Sequence, residues 1–138
     1  MKHIGSKRTA CVIIAATMLP SVSNAKSRLS TLNLAEQTFK TKADTWGQCM
    51  MSAAPRFLNS TESAEAIATA ILGTCSAEEN EVQLSLVPIF GLTSPYSSLQ
   101  QSIPYAQTSA ANKISEMRNG FRNKFISIIV ERRAQPSN

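Results

Sequence analysis

The chain of 138 residues carries 14 Lys and Arg against 9 Asp and Glu, a formal net charge of +5, and 43% of its residues are hydrophobic. This length suits one domain with its own core, and the basic excess is too small to indicate nucleic-acid binding, which needs a clustered basic face. The only histidine is His3. Histidine-dependent catalytic triads and Cys/His zinc sites are therefore excluded from the rest of the chain.

The first 25 residues have the pattern of a secretory signal peptide. A basic start precedes an apolar run of about ten residues, 10–19, whereas a membrane span needs about 20. Ser23 and Ala25 are small residues at the positions that precede a cut after Ala25. We therefore predict a signal peptide over 1–25 and a single helical domain over 26–138. An uncleaved anchor or a first core helix is the alternative interpretation.

Cleavage after Ala25 changes the charge and the cysteine count. Three of the 14 basic residues are lost with the signal peptide, so eleven face nine acidic residues and the net charge falls to +2. No nucleic-acid partner is expected from that charge. Cys49 and Cys75 remain, and an even pair in an exported chain predicts a disulfide. The expected location is the periplasm or the extracellular space.

Two stretches in the first part of the domain have helical periodicity. Apolar residues recur every seven positions at Leu32, Phe39, Trp46 and Ala53. We predict a helix over 33–54 that is capped by Asn33 and ended or kinked by Pro55. A second helix is predicted over 61–86 and is expected to stop at Pro88. Its acidic group at Glu78, Glu79 and Glu81 lies on or beside the apolar stripe, which predicts fraying or an outward turn there.

The third helix, predicted over 108–133, has the clearest apolar stripe, formed by Ala110, Ile114, Met117, Phe121, Phe125 and Ile128. The preceding segment 88–106 carries three prolines and is predicted to be a long loop that packs across the helices. The sequence thus predicts an all-α fold, a small three-helix domain stapled by one disulfide, or four helices if the loop forms a short one. No internal repeat divides it.

Little in the domain suggests catalysis. The glycines at 47, 73, 91 and 120 form no phosphate-binding loop, and a Cys-x-x-Cys redox motif is absent. Glu78 and Glu79 are adjacent, so on a helix their side chains point about 100° apart and cannot act as a facing carboxylate pair. We expect no enzymatic activity, no cofactor and no metal site, and the bridge is expected to be a structural staple.

The remaining expectation is that the domain binds another protein. The sequence leaves open both the identity of that partner and the oligomeric state of this protein. The candidate interaction surface comprises Trp46, Lys113, Arg118, Arg122 and Lys124, for which core packing and a solvated helix face are the structural alternatives. A membrane surface is the less favoured partner. Trp46 three residues before Cys49, in an exported helical chain with one disulfide, loosely resembles periplasmic acid-stress chaperones. That resemblance supplies the alternative function, a stress-conditional chaperone or membrane-surface binder that exposes an apolar helix face.

Overall fold

The computed structural model describes residues 22–135, and its regular elements are helical throughout. The element order is α1 (Val22–Ala53), a 3₁₀ turn (Ala54–Arg56), α2 (Ala64–Thr74), α3 (Ser76–Leu92) and α4 (Leu99–Ala134). The all-α prediction is confirmed. Most of the predicted signal peptide, residues 1–21, lies outside the described residues, and residues 22–25 form the first turn of α1.

Helix α1 is longer than its apolar stripe. It begins eleven residues before the predicted start, so Asn33 is an internal helical residue and not an N-cap. Its buried residues begin only at Ala35 and continue with Trp46, Met50 and Ala53. Pro55 ends the helix as predicted, since the chain passes into the 3₁₀ turn directly after Ala53.

The predicted second helix is two helices in the structure. The Ser63 side chain accepts a hydrogen bond from the Ala66 amide at 3.2 Å and caps α2. The backbone then breaks at Cys75, which has φ −107° and ψ 28° and separates α2 from α3. The expectation that Pro88 stops the helix is wrong, because α3 continues to Leu92. Pro88 and Leu84 are exposed, so water can satisfy the Leu84 carbonyl that loses its amide partner.

The predicted loop 88–106 is also wrong. Only residues 93–98 connect α3 to α4, because α4 begins at Leu99 and contains Pro104 in its second turn. Pro104 is exposed and removes a single helical hydrogen bond, which a helix of 36 residues tolerates. Of these three prolines, Pro55 follows the end of a helix, whereas Pro88 and Pro104 lie inside helices.

Helix α3 runs antiparallel to both α1 and α4. Three contacts show that α1 and α3 are antiparallel: Arg28 with the Leu92 carbonyl, Lys42 with Glu81, and Cys49 with Cys75. Helix α4 also runs opposite to α3, because Arg118 contacts Glu79 and a short linker joins the two helices. It follows that α1 and α4 run in the same direction on either side of α3. They are not among the helix pairs that pack closely, which leaves a groove between them.

The large core side chains are concentrated where Cys75 breaks the middle helices. The fully buried set is Trp46, Met50, Ile67, Ile71, Leu72, Cys75, Val82 and Ile129. The stripe predicted for the third helix is confirmed at Ala110, Ile114 and Phe125, but its last position is shifted: Ile129 is 1% exposed and Ile128 is 39% exposed. Since α1 approaches α4 only loosely, Ile128 reaches the groove between them and not the core.

Candidate interaction surface

The disulfide joins the last turns of α1 to the break between α2 and α3. Cys49 and Cys75 have their Cα atoms 5.9 Å apart, and Cys75 is fully buried. The bridge closes a loop of 26 residues, for which chain entropy predicts about 3.5 kcal/mol of stabilisation. It holds in place the residue at which the helical backbone breaks between α2 and α3, and it is compatible with an oxidising, exported location.

One group of possible metal ligands lies at this bridge. Cys49, Cys75 and Glu78 place one ligand atom each within 4.8 Å of the others. Metal ions bind cysteine as thiolate, and both sulfurs are bonded to each other here. The bridged form of this cluster therefore has a single carboxylate to offer a cation.

Trp46 is fully buried and contacts the ring of Phe121 edge-to-face, with ring centroids 5.0 Å apart. Its indole N–H is the only buried side-chain donor or acceptor without a partner in the part of the chain that the structure describes. In this fold Trp46 cannot touch a partner protein directly. Its contact with Phe121 holds the Phe121 ring between α1 and α4.

The groove between α1 and α4 lies directly above this aromatic pair. It has a volume of about 190 Å³ and is lined by Gly47, Met50, Met51, Phe121, Lys124, Phe125 and Ile128. Met50 and Phe125 are buried and form its floor, whereas Met51 is 66% exposed and Ile128 39% exposed along its sides. Gly47 has no atom within 4 Å of the position its Cβ would occupy, which leaves the α1 side open. We call this surface the α1–α4 groove.

The predicted basic residues of α4 do not form one surface. Arg118 donates to Glu79 at 2.6 Å, and Lys113 donates to Glu116 at 2.9 Å. Arg122 and Lys124 are exposed, and Lys124 alone among the four lines the α1–α4 groove. Charge spacing along the sequence could not distinguish a lysine beside an apolar groove from one that pairs within its own helix.

The acidic group at the start of α3 neither frays nor turns away from the core. Glu79 is 9% exposed and accepts its hydrogen bond from Arg118 of α4, and Glu81 lies 3.0 Å from Lys42 of α1. These ion pairs tie α3 to both of its neighbours. The prediction was wrong because partners on other helices compensate the carboxylates, which the periodicity of one helix does not show.

Met51 lines the α1–α4 groove, but the sequence does not predict it as part of an interaction surface. It follows the stripe residue Met50 and points about 100° away from it, so the apolar periodicity of α1 indicates neither a core position nor a site position for it. An exposed, flexible methionine beside a buried one is a usable signal, because methionine adapts to many apolar partners.

The remaining surface and the comparisons add two findings. Among residues 22–135 no helix is both long and apolar enough to cross a lipid bilayer. The sequence matches no protein-family model, and no curated protein or solved structure is significantly similar to it. A function for this chain therefore has to be inferred from its own surface.

Proposed function

We propose that this protein is an exported, non-enzymatic interaction module that binds an apolar helix of another cell-envelope protein in the α1–α4 groove. The observation that carries the proposal is the groove itself, an apolar channel between two parallel helices that do not pack closely. Its floor is rigid because Trp46 supports Phe121 and the disulfide fixes the end of α1. A preformed apolar site loses little conformational entropy when a partner binds.

The chemistry of the groove defines the partner. Met51 and Ile128 offer exposed apolar side chains, and Lys124 supplies a positive charge at the edge. An amphipathic helix with an acidic residue beside its apolar stripe would match both features. Periplasm and extracellular space are both compatible with this function, since each supports the disulfide.

The test is a pull-down from envelope extract with the oxidised protein and two matched variants. Met51→Glu/Ile128→Glu places charge in the groove without touching the buried floor, and it should lower the recovery of a stoichiometric partner by about tenfold or more. Val130→Glu changes a residue that is 54% exposed and does not line the groove. It should recover the partner like the unchanged protein.

Capture of the same partner by the groove variant would overturn the proposal. Circular dichroism of each variant shows whether the helices are intact, so that a loss of binding is not confused with unfolding. Recovery of many unfolded proteins in place of one partner would favour the alternative function.

The alternative is a stress-conditional chaperone, and the Glu79–Arg118 ion pair is the observation that favours it. Loss of this ion pair would remove a contact that holds α4 on α3, and α4 carries Phe121 and Phe125 on its packed face. Binding of the dye ANS at neutral and at acid pH separates the two functions. Strong acid-induced binding with retained solubility supports the chaperone, whereas unchanged dye binding supports the interaction module.

A further inference from the structure

The charges and the exposed apolar residues of this molecule divide it into two halves. We define the open half as residues 22–35 and 83–113, which comprise the start of α1, the end of α3 and the start of α4. The stapled half is 36–82 and 114–135. All nine acidic residues lie in the stapled half, where eight basic residues leave a net charge of −1. The open half carries no carboxylate, and its Lys26, Arg28 and Lys113 give it a charge of +3, of which the Lys113 charge is paired with Glu116 just across the boundary.

The large apolar side chains that remain exposed are mostly in this same half. Six of the nine found within residues 22–135 are there, so apolar exposure and positive charge coincide: Leu29, Leu34, Leu84, Tyr96, Leu99 and Ile103. Leu99 is 77% exposed and Leu29 63% exposed, which leaves most of each side chain in water. Single exposed leucines are ordinary, but a group of this size on a surface free of carboxylates indicates a binding surface.

Helix geometry places four of these residues at one end of the molecule. Leu29 precedes Trp46 by 17 residues and Ile103 precedes Phe121 by 18, so each lies about 25 Å further along its helix than the Trp46–Phe121 contact. Leu99 is one turn beyond Ile103, and Tyr96 lies in the linker that follows α3. The Tyr96 ring packs edge-to-face on Tyr105, which orders the linker. We call Leu29, Tyr96, Leu99 and Ile103 the apolar end.

We propose that the open half docks on an anionic lipid surface, with the apolar end inserted among the headgroups. Its exposed residues do not share a single groove: Leu29 and Leu34 border hollows on α1, Tyr96 borders a separate hollow beside Tyr105, and Leu84 lies on the outer side of α3. A protein partner of fixed shape would cover one of these places, whereas a fluid lipid layer covers all of them. Leucine, isoleucine and tyrosine are the side chains that enter this layer, and lysine and arginine are attracted to its anionic headgroups.

The test measures co-sedimentation of the oxidised protein with vesicles of phosphatidylglycerol and phosphatidylcholine, or of phosphatidylcholine alone. The protein should bind the anionic vesicles at least about tenfold more tightly, because each basic residue near the surface contributes about 1 kcal/mol. Leu99→Glu/Ile103→Glu should weaken that binding about 100-fold, since two apolar side chains no longer insert. Lys26→Glu should weaken it by about fivefold or more.

Val130→Glu is the control for a single apolar-to-carboxylate change, because it introduces one Glu on α4 in the stapled half. It should bind the vesicles within about twofold of the unchanged protein. Leu99→Glu/Ile103→Glu and Val130→Glu leave the N-terminal segment unchanged, so the difference between these two variants does not depend on whether the signal peptide has been removed. The proposal is overturned if the unchanged protein does not bind anionic vesicles, if it binds both vesicle types equally, or if Leu99→Glu/Ile103→Glu and Val130→Glu bind equally.

Discussion

Helices α1, α3 and α4 run through both the stapled half and the open half, whereas α2 lies only in the stapled half, and the two halves are packed with side chains of different size. The stapled half buries Trp46, Ile71, Val82 and Ile129 almost completely. Apart from Leu86, the open half buries only small residues: Ala35, Ser85, Ser102, Ala106 and Ala110. Small residues bury little apolar surface, and the leucines around them point into water. The comparison teaches that continuous helices can carry a stable core at one end and a binding surface at the other.

Trp46→Ala should have the largest effect on stability and tests whether the core depends on the stapled half. Loss of a fully buried tryptophan should lower the free energy of unfolding by about 4 kcal/mol, measured by denaturant titration. Trp46→Phe is the control. It removes the unpaired indole N–H and keeps most of the apolar volume, so it should cost less than about 2 kcal/mol. Equal costs for the two variants would contradict this account of the core.

Removal of the disulfide should have the next largest effect. Cys49→Ser/Cys75→Ser frees a loop of 26 residues in the unfolded chain and should lower the free energy of unfolding by about 3.5 kcal/mol. Titration of the unchanged protein with and without reductant provides the control, and the loss on reduction should be similar. A double variant as stable as the unchanged protein would show that the break at Cys75 needs no staple.

Neighbouring isoleucines in α4 allow the boundary between core and groove to be measured. Ile129→Ala should lower the free energy of unfolding by about 3 kcal/mol, because Ile129 is 1% exposed. Ile128→Ala should cost less than about 1 kcal/mol, since Ile128 is 39% exposed beside the groove. The same chemical change thus reports two environments. The reverse order of costs would mean that the predicted stripe, with Ile128 inward, describes α4 better than the structure does.

The smallest effect is expected in the open half. Leu99→Ser and Ile103→Ser should each change the free energy of unfolding by less than about 0.5 kcal/mol, because both side chains are mostly in water already. Thermal unfolding followed by circular dichroism is sufficient to detect a larger change. A loss above about 1.5 kcal/mol at either position would show that the open half has a core of its own and would weaken the contrast between the halves.

The sequence by itself determined the helical class, the cysteine pair and most of the inward-facing residues of α4. Those features follow from local rules: a periodicity of 3.6 residues, the missing amide of Pro55, and the presence of only two cysteines after residue 25. The location, the absence of catalysis and the binding role stay predictions. Of the candidate interaction residues, Trp46 lies in the core, which was the structural alternative that the sequence offered for it. Lys124 lines the α1–α4 groove, and the sequence does not show that groove.

Tertiary structure decided where helices end and which charges are compensated. Pro88 and Pro104 stay inside helices because their faces are exposed to water, and Glu79 is buried because Arg118 reaches it from α4. Neither fact can be read from one helix, since each depends on a neighbour that is distant in sequence. The α1–α4 groove and the apolar end arise in the same way. They are the places where no second helix covers an apolar residue, and only the packing of the whole chain determines those places.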